Sequence, residues 1–262
     1  MLKRILKHHI SQKIVFIIVI LVIWELIARS EIFPALLFPS FSAVMQALFS
    51  GISSEKLLSK TWFSLFLIIK GLSWGLLIVL FLSYLGISFA VMENILNTLI
   101  AILDPLPGIA LLPVAMLWFG ISEASIIFII LHSIIWSMLL SFMTGFKSVP
   151  RIYLDVGQNF GLGKAKLLWD IMVPASFPYL ISGLKIGWAR AWRAVIAVEM
   201  VFGAASGTAG GLGWHIYTSR YFSDIAGTFA ALVAIVTVGI LVEELIFKSI
   251  EKATVKKWGM SI

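Results

Sequence analysis

Six ionisable side chains stand inside runs that are otherwise apolar: Lys70, His132, Lys185, Arg190, Arg193 and Glu199. A charge left exposed at mid-bilayer depth costs about 2.5–3.5 kcal/mol on insertion scales, so each of these groups needs a partner in protein or water. Arg190 and Arg193 lie one helical turn apart, and paired guanidinium groups suit planar or tetrahedral oxyanions. They form either a cationic lining for an anion or internal ion pairs with Glu199, Glu25 or Asp104. The sequence leaves both readings open. Lys185 and Glu199 share a helical face but stand about 21 Å apart along the axis, so their partners must come from other segments. Lys70, near the end of its run, reads as a snorkelling lysine, and His132 as a hydrogen-bonded packing residue, since no second histidine stands at metal-ligand spacing.

Several chemistries are excluded. With no cysteine, the chain has no disulfide, thiolate metal site or cysteine nucleophile. It carries no HExxH, no paired acidic site and no credible Ser-His dyad. The stretch Gly157-Gln-Asn-Phe-Gly161-Leu-Gly163-Lys164 superficially suggests a phosphate cradle. Its spacing is wrong for G-x-x-x-x-G-K-[ST], Ala165 supplies no hydroxyl, and no strand precedes it. The chain is therefore not expected to bind ATP or any other cofactor itself.

The elements that position these residues are membrane spans. At 262 residues, 60% hydrophobic and 13% charged, the chain has too little polar surface for an ordinary soluble globule. Apolar runs predict six spans: Ile14–Ala28, Thr61–Met92, Ile95–Phe119, Ala124–Gly145, Phe177–Phe202 and Gly227–Lys248. The first superficially resembles a secretory signal, but no cleavage pattern follows and Glu25 and Arg29 close it. Residues 30–60 read as an external loop with a short amphipathic helix. The third span is interrupted by Asp104, Pro105, Pro107, Gly108 and Pro113, so it must lie against protein or a cavity. Basic residues test the topology. Lys3, Arg4, Lys7 and Lys13, then Lys147, Arg151, Lys164 and Lys166, then Lys248, Lys252, Lys256 and Lys257 fall inside; Arg29, Lys56, Lys60 and Arg220 fall outside. This bias puts both termini in the cytoplasm and makes the formal net charge of +7 a matter of topology rather than nucleic-acid binding. The expected organisation is a cytoplasmic N-terminus (1–13), a membrane domain (14–250) and a cytoplasmic tail (251–262).

Between the fourth and fifth spans, residues 148–174 predict a compact cytoplasmic knob. Ser148 and Pro150 open a first helix, Gly161 closes it in the left-handed conformation, and a second short helix over 163–172 ends at Pro174. The knob's composition alone fits an interfacial loop packed on headgroups equally well.

The spacing Asp155-x-Gly157-x3-Gly161-x9-Ile171-x2-Pro174 resembles the cytoplasmic Glu-Ala-Ala loop of ABC importer permease subunits with a six-span core. Three further stretches are similar to the nitrate, sulfonate and taurine branch of that family: Pro107 through Ile121, Ala197-Val-Glu199-Met200 and Gly211-Leu-Gly213. One departure is that Asp155-Val156-Gly157 replaces the usual triplet. The resemblance implies the all-α type I importer permease fold. It also implies a coupling loop carried by Asp155, Val156, Gly157, Gln158, Asn159, Phe160, Gly161, Ile171 and Pro174, docking on a separate ABC ATPase dimer that holds ATP-Mg. A second permease copy and a periplasmic or lipid-anchored solute-binding protein would complete an assembly in the bacterial inner membrane. The solute is expected to be a small oxyanion such as a sulfonate, taurine or nitrate, with a heterocyclic vitamin precursor as the alternative. From another class, the chain reads as a self-contained ion-coupled carrier or channel. On the importer reading, Arg190, Arg193, Glu199 and His132 line the translocation path, and Gly210, Gly211 and Gly213, in a segment with five glycines between 203 and 215, form a gate over it.

Overall fold

A computed structural model of the chain describes residues 2–30, 32–34, 36–54, 56–203 and 210–260, with the side chains of 2–11, 13 and 14 outside that description. No strand occurs among the described residues, in line with the expected all-α class. In chain order the helices are α1 (Leu2–Arg29), α2 (Phe41–Ser53), α3 (Lys56–Ser88), α4 (Ala90–Leu103), α5 (Leu112–Phe119) and α6 (Glu123–Lys147). They continue as α7 (Arg151–Asn159), α8 (Lys164–Lys166), α9 (Val173–Phe202), α10 (Leu212–Tyr221), α11 (Ile225–Leu241) and α12 (Lys248–Ala253). Short polar side chains fix several starts: Ser40 Oγ accepts the Ala43 N–H at 3.2 Å to open α2, and Asp224 Oδ1 accepts the Gly227 N–H at 2.8 Å to open α11.

The centre of the bundle is α6, flanked by α3 and α9. Ile129, Ile130, Ile134, Met138 and Leu139 on α6 are fully buried, whereas the apolar side chains of α1 from Val15 to Ile27 are largely exposed, as suits a helix against lipid. Close approach of α9 to α6 uses small residues. A Cβ added at Gly183 would lie 2.9 Å from Phe142 Cε1, and one at Gly187 would lie 2.9 Å from Met138 Cγ. Such contacts drive membrane helices together where lipid tails are as apolar as the side chains.

Four helical runs among the described residues are long and apolar enough to cross a bilayer: Lys56–Ser88, Glu123–Lys147, Lys164–Phe202 and Ile225–Ala253. The expected third span is a bent pair. Ala90–Leu103 meets Gly108–Phe119 at 88°, because Pro105 and Pro107 remove donors and Asp104 ends the first ladder. The expected first span is helical within α1, and the short helix expected between 30 and 60 is α2.

One boundary differs from the sequence reading. Pro174 does not end a helix; Lys164–Phe202 runs on as a continuous helix. The physical reason lies in the preceding π-helical turn, Leu167–Met172. There the Val173 N–H reaches back five residues to the Leu168 carbonyl, so the ladder has already shifted register when the donor-less Pro174 arrives. A second π-helical turn, Val242–Phe247, joins α11 to α12. Beyond α12 the tail folds back: Val255 is buried with Ile181 and Phe247, and the Trp258 ring packs 5.4 Å from that of Phe177.

Candidate functional site

Where the third span breaks, the chain leaves a cavity of about 410 Å³ between residues 104–109, α6 and α9. Gly108 makes this junction possible, because any Cβ there would collide with Ser133 Oγ and lie 3.2 Å from the Ile129 carbonyl oxygen on α6. Arg190 and Arg193 both line the cavity, with His132, Ser133 and Asp104. Of the three partners open to Arg190 in the sequence, Asp104 is the one it meets: Nη1 donates to Oδ1 at 2.9 Å and Nη2 to Oδ2 at 3.3 Å, a two-point fork. Arg193 differs. Its Nε donates to the Ala189 carbonyl at 3.1 Å, and among the described residues no carboxylate pairs with it.

His132 also departs from expectation. Both ring nitrogens are buried without a hydrogen-bond partner among the described residues, and so is the indole nitrogen of Trp136, whose ring lies 6.4 Å away. Of these, the His132 nitrogens belong to a residue that lines the cavity; unpaired buried polar atoms are rare and costly enough that the two point to a group that arrives from outside the chain.

Glu199 does not line this cavity. It is 2% exposed, and the Ser64 hydroxyl of α3 donates into its carboxylate from 2.8 and 2.9 Å. The Gly213 N–H donates to Oε2 at 2.9 Å, and the Leu212 N–H donates to Ser64 Oγ at 3.0 Å. The carboxylate thereby satisfies the first turn of α10 and sits at the positive end of its dipole. Three helices meet at this one side chain. The glycines expected as a gate are what lets them do so: a Cβ at Gly211 would collide with Glu199 Oε1, and one at Gly213 would collide with the Ile196 carbonyl oxygen. Gly210 has a φ of +69° and packs on Trp214. Residues 204–209, including Thr208 of the same stretch, lie outside the described residues.

The remaining intramembrane cations find carboxylates on other elements. Lys185 bonds Glu243 at 2.9 Å and pairs with Glu251, as the sequence required of a partner from elsewhere. Lys70 is not simply snorkelling, since it pairs with Glu123 at the start of α6.

The loop 148–174 folds into the expected knob, with different internal bounds. At the end of α7 the Leu162 N–H reaches the Gly157 carbonyl at 3.0 Å and the Gly161 N–H reaches that of Gln158 at 2.8 Å. With Gly161 at φ +75°, this is a Schellman close. Gly157, buried, faces the following helix: a Cβ there would lie 2.5 Å from Ile171 Cδ1 and 2.6 Å from Leu167 Cδ2. This explains the Gly157 and Ile171 spacing, which brings α7 onto the π-helical turn. Ile152, Tyr153, Val156 and Phe160 remain exposed, Phe160 by 82%. Asp155 and Asn159 lie on α7, Gln158 beside them, and Pro174 in the first turn of α9.

Sequence reasoning named Asp104 only as a helix breaker and possible partner, and it passed over Ser64 and Trp136. A serine in an apolar span was the one available signal for Ser64.

With this geometry in place, the chain matches over residues 14–256 the family described as "Binding-protein-dependent transport system inner membrane component". The chain belongs to that family. This binding-protein-dependent transport component is 29% identical to the nitrate import permease NrtB of Synechocystis sp. over 88% of this chain and 85% of the relative. It is 26% identical to the taurine transport system permease TauC of Escherichia coli over 91% of this chain and 86% of the relative. Its fold is similar to a chain in a solved structure described as inward-facing conformations of the MetNI methionine ABC transporter. The TM-score is 0.61 at 18% identity, covering 75% of this chain and 95% of that one. The transport component is thus an ABC importer permease of the nitrate, sulfonate and taurine branch, with the all-α permease fold.

Proposed function

We propose that this permease carries a small oxyanion through the inner membrane as one half of a two-copy pathway. The observation that carries the coupling half of this reading is the α7 knob: an apolar surface held outward on a tight glycine-closed turn, with nothing among the described residues covering it. An ABC ATPase dimer, holding the ATP-Mg that this chain has no motif to bind, would grip one knob on each copy. A solute-binding protein, periplasmic or lipid-anchored, would deliver the anion on the far side. Both termini lie in the cytoplasm on this reading, and α1 supplies the first of six spans. The chain itself performs no catalysis.

The oxyanion assignment is supported by the arginines at the cavity and by the nitrate and taurine transport named for its relatives. A heterocycle would look for stacking partners, and among the described residues the cavity lining contains no aromatic side chain besides the His132 imidazole. Glu199, tied to Ser64 and α10, supports the path by holding the helix that carries the arginines, and Gly211 and Gly213 share that role in place of a freely swinging gate.

The sequence contains no cysteine, so a single Phe160→Cys substitution gives an unambiguous label site. In oriented vesicles a membrane-impermeant maleimide should reach Cys at this position from the cytoplasmic side, with labelling reduced at least fivefold once the ATPase is added. Labelling from the outer side, or no protection, would sink the docking reading. Uptake in vesicles without any ATPase would favour the self-contained carrier instead.

A further inference from the structure

We propose that Asp104 sets the charge of the solute: by holding Arg190 in a two-point ion pair, it leaves the cavity fitted to one negative charge and unsuited to two. The inference rests on the oxyanion reading above and adds the valence of the anion and the residue that selects it.

Three formal charges line the cavity: Arg190, Arg193 and Asp104. The outer nitrogens of Arg190 are committed to the Asp104 carboxylate at 2.9 and 3.3 Å. That pair is locally neutral. Arg193, whose Nε is taken by a backbone carbonyl, retains the outer face of its guanidinium without a carboxylate among the described residues. Among the described residues the cavity therefore presents one uncompensated positive charge, and beside it an imidazole with neither ring nitrogen partnered. A neutral imidazole offers one N–H donor, so the pair calls for a ligand with one negative charge and at least two acceptor oxygens, one for Arg193 and one for His132.

A monovalent oxyanion, such as nitrate, bicarbonate or an alkyl sulfonate, matches both demands. A dianion brings a second charge that could be neutralised only by taking Arg190 from Asp104. This would leave the carboxylate uncompensated in a partly buried site, where an unpaired charge is strongly disfavoured. Discrimination of this kind works against the wrong ligand through a charge held out of its reach.

The test is thermal unfolding of the full-length permease in detergent, followed by its tryptophan fluorescence, with methanesulfonate or sulfate titrated at constant ionic strength. Arg193→Gln serves as the blank, because general salt effects are common to every variant and a ligand that binds the folded state raises the melting temperature above them. Methanesulfonate should stabilise the wild-type protein in excess of this blank, and sulfate should not. Asp104→Asn releases Arg190 and raises the cavity's charge, so the apparent preference for methanesulfonate over sulfate should fall at least tenfold, while Asp104→Glu restores it. Arg190→Gln, a second and independent variant, leaves Asp104 to face Arg193 and should abolish methanesulfonate stabilisation although Arg193 is intact. If no anion acts beyond the blank, or if Asp104→Asn keeps the wild-type preference, or if Arg190→Gln still responds to methanesulfonate, the valence assignment is wrong. These outcomes are separable from the docking result, since labelling at position 160 reports the ATPase surface whatever the anion does.

Discussion

Gly213→Val should lower the melting temperature of the protein by roughly 10 °C. The glycine's backbone conformation is ordinary for the first turn of a helix, so the cost is one of space. A Cβ at this position collides with the Ile196 carbonyl oxygen and lies 2.7 Å from Glu199 Cβ, and neither is the movable end of a flexible side chain. α10 must therefore retreat from α9. In retreating it breaks the 2.9 Å bond from the Gly213 N–H to Glu199 Oε2 and strains that from the Leu212 N–H to Ser64 Oγ. Overpacking costs about 1–3 kcal/mol and a lost hydrogen bond to a charged group about 1.5–3 kcal/mol. At a few degrees per kcal/mol for a chain of this size, the sum gives the stated shift. Glu199→Gln, which keeps the volume and an acceptor oxygen, should cost less than half as much. A Gly213→Val protein that melts within 2 °C of wild type would show that α10 is not held as described.

Gly161→Val should have the opposite profile, with a small change in melting temperature and loss of ATPase co-purification and ATP-driven uptake. No atom lies within 4 Å of a Cβ built at Gly161, so space is not at issue. The φ of +75° is, because a β-branched residue is a strong outlier in the left-handed region. The penalty, about 1–2 kcal/mol, is small against the whole fold but decisive for a turn that only two backbone hydrogen bonds close. The chain then leaves α7 in another direction and carries Phe160 with it. Pull-down of the ATPase should fall at least tenfold. Full co-purification with a normal melting temperature would mean that the turn's geometry is irrelevant to docking.

What the sequence made legible follows from the range of the interactions involved. Spans, the proline break and the glycine-closed turn at 161 are local, and residue types within a few positions dictate them. Arg190's partner was legible as one of three carboxylates, because burying a guanidinium demands a counter-charge even when its identity is unknown. Glu199 was legible as a buried charge needing help from another span, but not as the residue that satisfies α10. Its partners are a serine 135 positions away and backbone N–H groups, which no residue pattern announces. Pro174 was misread for a related reason. A proline ordinarily ends a helix, and the π-helical turn that accommodates it, packed on Gly157 through Leu167 and Ile171, is announced by no local residue pattern. The orphaned nitrogens of His132 were likewise invisible, since they exist only once the Asp104–Ile109 segment has folded over α6.

The unbroken run from Lys164 to Phe202 joins two places that the amino-acid order keeps apart. At one end it supports the knob, through Leu167 and Ile171; some 25 residues on, roughly 35–40 Å away, the same backbone carries Arg190 and Arg193. No loop intervenes to absorb a displacement. On the proposed docking, force applied to that handle would be delivered to the guanidinium groups as by a piston rod, and the run has two soft joints, the wide turn just ahead of Pro174 and Pro178 inside the helix. Stroke length at the arginine cavity would then be governed by the stiffness of the stretch from Leu167 to Pro178, far from it.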